Sequence, residues 1–236
     1  MNKVLIFAVL LISFQKTFGQ NAIEIDAGYY TYNMSDMKAM QNASLEDIEI
    51  TSDIVSSFPA FVGFGVQVFI KKVYLSEWTF NQGVRLDYTS TGGRIGYQDY
   101  SGKFSLDQLV NRFGFGYLGR FMKSSEKKYK TGAEFLIQYS HSTFDYEYNL
   151  SLVGTSSVID NYVFNSGSFQ INLSWVNNYD ITTNLYLQSR IGYELDVWSG
   201  PLNYSKNNGY LLNSDGSKTR LNWSGVRINF GLGFKL

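Results

Sequence analysis

The last eleven residues alternate without a break. Val226, Ile228, Phe230, Leu232, Phe234 and Leu236 take every second position, with Arg227, Asn229, Gly231, Gly233 and Lys235 between them. Successive side chains of a strand point to opposite faces, so this spacing makes one face apolar and the other polar. A helix would scatter the same residues around its whole circumference. The segment before it repeats the pattern: Leu185, Leu187, Ile191, Tyr193, Leu195 and Val197 oppose Gln188, Arg190, Gly192, Glu194 and Asp196, with Ser189 alone out of phase.

Six earlier segments obey the rule less strictly. Ile23, Ile25, Ala27 and Tyr29 oppose Glu24, Asp26 and Gly28; Val62 to Ile70 opposes Gly63, Gly65 and Gln67. Trp78, Phe80, Val84, Leu86 and Tyr88 oppose Glu77, Asn81, Arg85 and Asp87. Leu109, Phe113, Phe115, Tyr117 and Phe121 oppose Arg112, Gly114, Gly116 and Arg120. Ala133, Phe135, Ile137 and Tyr139 oppose Gly132, Glu134, Gln138 and Ser140, and Phe169 to Trp175 opposes Gln170, Asn172 and Ser174. That makes about eight strands. Connections alternate between short (71–76, 123–129, 177–183) and long (33–58, 90–105, 144–165, 199–218). Short turns on one side and long loops on the other predict an all-β, up-and-down antiparallel transmembrane barrel, with the turns periplasmic and the loops external. Alternation persists patchily through Arg94–Leu106, so the third to sixth strands could extend past the membrane.

Composition agrees with this and excludes much else. Pro59 and Pro201 are the two prolines, glycines number 22, and only 17% of residues are charged. The mean hydropathy of −0.16 is too polar for a bundle of membrane helices. With no cysteine there is no disulfide framework, thiolate metal site, cysteine nucleophile or lipidated N-terminal Cys. His141 is the single histidine, which excludes a multi-histidine metal centre. Twenty basic residues balance twenty acidic ones, so general nucleic-acid binding is not expected. No cofactor is implied.

Residues 1–20 have the form of a secretory signal peptide: Lys3, an apolar run from Val4 to Phe14, then small residues Thr17 and Gly19. Cleavage is expected after Gly19 or Gln20, leaving 21–236 as the barrel domain, with 18 basic and 20 acidic residues, a net −2. The apolar run is short of the about 20 residues a helical anchor needs.

Three features set the apolar face toward lipid rather than inward, as a soluble lipocalin-like barrel would have it, and the signal peptide is the first. Trp78 and Trp175 fall at the periplasmic ends of their segments and Trp198 and Trp223 at the external ends, which predicts an aromatic girdle at each rim. The opposite face mixes signs: Arg85, Arg112, Arg120, Arg190 and Arg227 with Glu24, Asp26, Asp87, Glu134, Glu194 and Asp196. Inside a narrow lumen these charges would pair with one another. Eight strands leave room for little more than side chains, so a porin-like architecture without a diffusion pore is expected.

The closing segment Gly225–Leu236 resembles the last strand of Gram-negative outer-membrane barrels, and the alternation over the whole chain after residue 20 fits that family as a pattern. The resemblance implies residence in the cell outer membrane, contact with membrane lipid and lipopolysaccharide, and an assembly signal read by the barrel-assembly machinery. Phe230, Phe234 and Leu236 would carry that signal, although the chain ends on leucine where the family ends on an aromatic residue.

Function then falls to the loops. In the first, residues 33–41 predict a short helix, with Asn33 or Ser35 as N-cap and Asp36 in the first turn. Met34, Met37 and Met40 make it either a partner-binding helix or, more simply, a lid over the barrel mouth. The acids Asp36, Glu46, Asp47, Glu49 and Asp53 lack ordered ligand spacing and suggest a solvated acidic surface, as do Asp145, Glu147 and Asp160 in the third loop. Three readings are set side by side: a non-enzymatic barrel with a filled lumen, serving surface interaction or envelope integrity; a lipid-modifying barrel enzyme centred on His141, beside Ser140 and Ser142; and a secreted soluble barrel for an apolar ligand.

Overall fold

The computed structural model describes residues 22–48, 54–98, 100, 102–123, 128–154, 157–206 and 209–236, and the side chains of these except 44–48 and 54–57. The signal-peptide expectation for residues 1–20, and the acids Glu49 and Asp53, lie outside them. In chain order the elements are β1 (Ala22–Tyr30), α1 (Ser35–Ile48), β2 (Ile54–Ser57), β3 (Phe61–Leu75), β4 (Trp78–Gln98), β5 (Gly102–Lys123), β6 (Tyr129–Leu152), β7 (Val158–Asp180), β8 (Leu185–Ser199), β9 (Asn203–Tyr204) and β10 (Gly225–Lys235).

Eight of these strands form a closed antiparallel ring in the order β1-β3-β4-β5-β6-β7-β8-β10. The ring closes where β1 pairs with β10 along its whole length, from Ala22↔Lys235 to Tyr30↔Arg227. Closure removes the unpaired edges that a sheet of this length would otherwise expose. β2 lies against the far part of β4, and β9 pairs Asn203 with Asn165 of β7.

Inside this ring the glycines of the polar face supply space. A Cβ at Gly65 would lie 2.1 Å from a terminal nitrogen of Arg85, and one at Gly233 would lie 2.1 Å from the Tyr186 ring. Large side chains fill a lumen this narrow only because their cross-strand neighbours have none.

The turn side matches the expected short connections, the tightest being residues 76 and 77 between β3 and β4, where Ser76 takes a positive φ of 52°. On the other side the third to sixth strands of the ring do extend, and most of the 90–105 and 144–165 connections is strand: β4 and β5 pair out to Gln98↔Lys103, and β6 and β7 out to Leu150↔Val158. Pairing persists because alternation persists, but the apolar residues change face. Near the turns Ile137, Phe113 and Tyr88 point outward while Glu134, Arg112 and Arg85 are buried inside. Farther along the same strands Ile95, Leu106 and Phe144 are buried inside, with Arg94, Asp107 and Glu147 outside.

α1 runs to Ile48, longer than expected, and it is a lid. Met34 and Met37 are fully buried in a cluster with Tyr30, Tyr32, Phe58, Val110, Phe144, Phe164, Leu202, Leu221 and Trp223, with Met40 packed against it. Asp36 does not cap its own helix in the usual way; its carboxylate accepts the backbone N–H of Arg220 at 3.0 Å and ties the helix to the 200–224 connection. The cluster closes the loop-side mouth of the barrel.

Candidate functional site

The lumen is a charge network between two ends of different chemistry. Ten ionisable side chains are buried in it: Arg85, Arg112, Arg120, Arg190 and Arg227 against Glu24, Asp26, Asp87, Glu134 and Glu194. Each is there because period-two spacing on a closed ring aims it inward. Five charges of each sign cancel, the condition under which so many ions tolerate burial.

The network is layered along the barrel axis. Toward the turns, Arg120 donates Nη1 to Glu24 Oε1 at 2.6 Å and Nε to Glu134 Oε2 at 2.7 Å. Glu24 also accepts from Gln67 and from the Tyr186 hydroxyl. In the middle, Asp26 receives both terminal nitrogens of Arg85, at 2.7 and 2.9 Å, together with Arg190 and the Asn229 amide. Gln67 Oε1 accepts from Arg85 and Arg190 at 2.9 Å each, and Arg190 reaches Glu134 at 2.7 Å, which joins the two layers. Toward the loops, Glu194 takes Arg112 and Arg227, while Arg112 also meets Asp87 at 3.3 Å. The residual cavity among these groups is about 20 Å³, room for a water molecule.

Ten of the eleven charges read on the polar face therefore lie buried inside and are joined in one network; Asp196 is the exception. The network also includes Gln67, Tyr186 and Asn229, which sequence reasoning did not single out; their inward phase was the available signal. Asp196 pairs with no arginine among the described residues; its carboxylate accepts the Trp223 backbone N–H at 3.1 Å.

The tryptophans divide. Trp78, Trp175 and Trp198 are exposed on the outer wall. Trp223 is not on a rim, contrary to the expected girdle. It is 0% exposed, its indole N–H donates to Ser142 at 3.0 Å, and the Arg112 guanidinium lies over its ring at 5.0 Å. The reason is that Trp223 precedes β10, in the folded-back connection that roofs the mouth, so strand phase does not govern it. Phe230, Phe234 and Leu236 all face outward, Phe230 at 67% exposure.

His141 is exposed on the outer face between Phe113 and Gly167. Ser140 and Ser142, its chain neighbours, turn inward, where Ser140 meets Ser168 at 2.9 Å and Ser142 receives Trp223. Adjacent strand residues cannot share a face, so these serines and His141 form no nucleophile–base pair. Among the described residues no cluster of three metal-ligating side chains occurs. Above the lumen, burial followed by the neighbouring Tyr148 and Tyr162 raises the Tyr146 phenol, keeping it neutral.

No protein-family model matches the chain, and no curated protein matches it in sequence. Solved structures similar to it include Neisserial surface protein A, at 14% identity over 92% of this chain and 99% of that one, with a TM-score of 0.42. A major outer membrane protein from Thermus thermophilus is 12% identical over 92% of this chain and 99% of its own, at a TM-score of 0.49. Outer membrane protein OprG from Pseudomonas aeruginosa is 11% identical over 93% and 96%, at 0.43.

Proposed function

We propose that this chain is a closed, non-enzymatic integral protein of the cell outer membrane. The observation that carries the reading is the exchange of faces along the strands. For one stretch the barrel is apolar outside and ionic inside; beyond it, on the same strands, it is polar outside and apolar inside. A single solvent cannot favour both arrangements. Hydrocarbon around the first stretch and water around the second satisfy each. Every outward position of β10 from Val226 to Leu236 is apolar, and 11 residues of tilted strand suit a bilayer core.

With the lumen filled and its mouth roofed, the protein acts through surfaces rather than a channel. The sheet that β4 to β7 raise above the membrane, and the roof formed by α1 and the 200–224 connection, are the parts offered for surface interaction or envelope integrity. The wall meets membrane lipid and lipopolysaccharide, and the outward Phe230, Phe234 and Leu236 serve the barrel-assembly machinery during insertion.

Heat-modifiability tests the reading. Detergent-extracted protein should migrate differently on SDS gels unboiled and boiled. Protein that is soluble without detergent and shows no shift would sink the membrane assignment. Lipid A acylation unchanged by His141→Ala is the expected result for a non-enzyme.

A further inference from the structure

Past the roof, the inner face of β6 and β7 carries a line of rings. Phe144 pairs with Phe164, Tyr146 with Tyr162, Tyr148 with Asp160 and Leu150 with Val158. Period-two spacing puts all of them on the face that Glu134 and Gln138 occupy nearer the turns. Phe144 and Phe164 are sealed in the roof cluster, and Tyr146 and Tyr204 pack against it. Tyr162 emerges from the cluster at 38% exposure, and Asp160 is exposed beside it.

Three tyrosine rings meet there at different attitudes. Tyr162 lies 6.2 Å from Tyr146 at an interplanar angle of 57°, and 6.0 Å from Tyr204 at 51°. A ring face attracts a cation within about 6 Å of its centroid, so one ion resting over Tyr162 comes within reach of a neighbouring ring as well. Asp160, two residues along the strand from Tyr162 and opposite Tyr148, adds a negative charge on the same face.

Elsewhere the chain lays its own cations over its rings. Arg227 covers Tyr30 and Tyr32, Arg112 covers Trp223, and Lys218 covers Tyr210. Among the described residues no lysine or arginine does so at Tyr146, Tyr148, Tyr162 or Tyr204, and Asp160 has no ion pair. Rings and carboxylate together match a cation that the chain does not itself provide.

The surroundings narrow its type. A single carboxylate cannot assemble the six or more oxygen ligands that calcium takes, about 2.3–2.6 Å away. The side chains of Leu150, Val158 and Phe164 offer no hydrogen bonds to the hydroxyls of a saccharide. An ammonium wrapped in methyl groups needs neither. Its charge faces rings and carboxylate, and its methyls meet the apolar neighbours.

We propose that this face binds a soluble quaternary ammonium compound of the choline type. The cation rests over Tyr162, with Tyr146 and Tyr204 beside it and Asp160 as counter-charge. The site stands on the geometry of the β6–β7 ladder and holds whatever surrounds the barrel below.

Calorimetry on folded protein in neutral detergent, with choline as probe and its uncharged isostere 3,3-dimethylbutan-1-ol as control, tests it. Saturable one-to-one binding of choline is expected, with the alcohol about tenfold weaker or more. Tyr162→Leu should weaken choline about fivefold or more, the worth of one ring face, while Tyr162→Phe retains most of the affinity. Asp160→Asn should weaken it about two- to fivefold, as loss of an exposed ion pair does. Both positions are exposed, so the variants should keep the heat shift of the parent protein. In protein that shows this shift, three results would each overturn the site and leave the membrane reading untouched. They are no saturable binding, equal binding of the alcohol, and affinity indifferent to either Tyr162→Leu or Asp160→Asn.

Discussion

Arg120 on β5 grips Glu24 on β1 with both terminal nitrogens, Nη1 to Oε1 at 2.6 Å and Nη2 to Oε2 at 2.8 Å. The two strands are not neighbours in the ring, so this pair braces the barrel across its interior. Removing one member leaves a buried charge short of its partner, which typically costs about 3–5 kcal/mol. Arg120→Met should therefore lower stability by about that amount. The double variant with Glu24→Gln should recover at least a part of it, because the lumen charge is balanced again. Urea unfolding in lipid vesicles, followed by tryptophan fluorescence, measures both. A double variant as unstable as the sum of its singles would show that the pair is not coupled.

Trp223 and Trp198 stand close together in the chain but in opposite environments. Trp223 is the largest fully buried side chain of the roof, and Trp198 packs in a tilted arrangement 6.0 Å from the Phe169 ring with half its surface outside. Trp223→Ala leaves a cavity beneath α1 and strands the Ser142 and Arg112 contacts, at a cost of about 3–5 kcal/mol. Trp198→Ala should cost no more than about half as much, since lipid refills its place. Equal losses in the same unfolding assay would place both rings on the outer wall.

Ile191 and Ile159 are similarly exposed, at 53% and 62%. Ile191 lies in the apolar stretch of β8, and Ile159 near the far end of β7, beyond the exchange of faces. An arginine at the first position should cost about 2–4 kcal/mol, the penalty for a cation facing mid-bilayer lipid. At the second, where water already surrounds the strand, the change should stay within about 0.5 kcal/mol. Comparable effects at the two sites would mean that the apolar stretch is not in hydrocarbon.

Much of this architecture is legible in the chain because strand phase is a local property. Glu134, Gln138 and Ile137 fall on their proper faces from spacing alone, and the ten lumen charges follow once the ring is closed. Three things escape local reading. Along β4 to β7 the apolar residues switch faces: Phe144 and Leu106 are as regular as Ile137, yet a search for one continuous apolar face finds only patchy alternation there and misses the switch. Outside the strands phase says nothing, so Trp223 looks like a rim residue although a folded-back connection buries it. The third is the β3–β4 register shift between Phe69 and Lys71, where the extra residue Ile70 changes the phase of Lys72 and pairs it with Asn81.

The barrel should conduct no ions, and two independent seals are the reason. The roof buries Met34, Met37 and Trp223 completely, and beneath it the arginine–carboxylate layers leave a cavity of about 20 Å³. Either alone blocks a hydrated ion, which must shed water to pass and finds every lumen charge already paired. In planar bilayers the intact protein should give no current steps. A variant whose 35–48 segment is replaced by a short Gly–Ser linker should give none either, since the layer around Asp26 and Arg190 stays intact. Arg85→Ala combined with Arg190→Ala in that variant removes the middle of the layer, and small steps should then appear. Steps from the intact protein would refute the filled lumen, and steps from the roofless one would assign the seal to the roof alone.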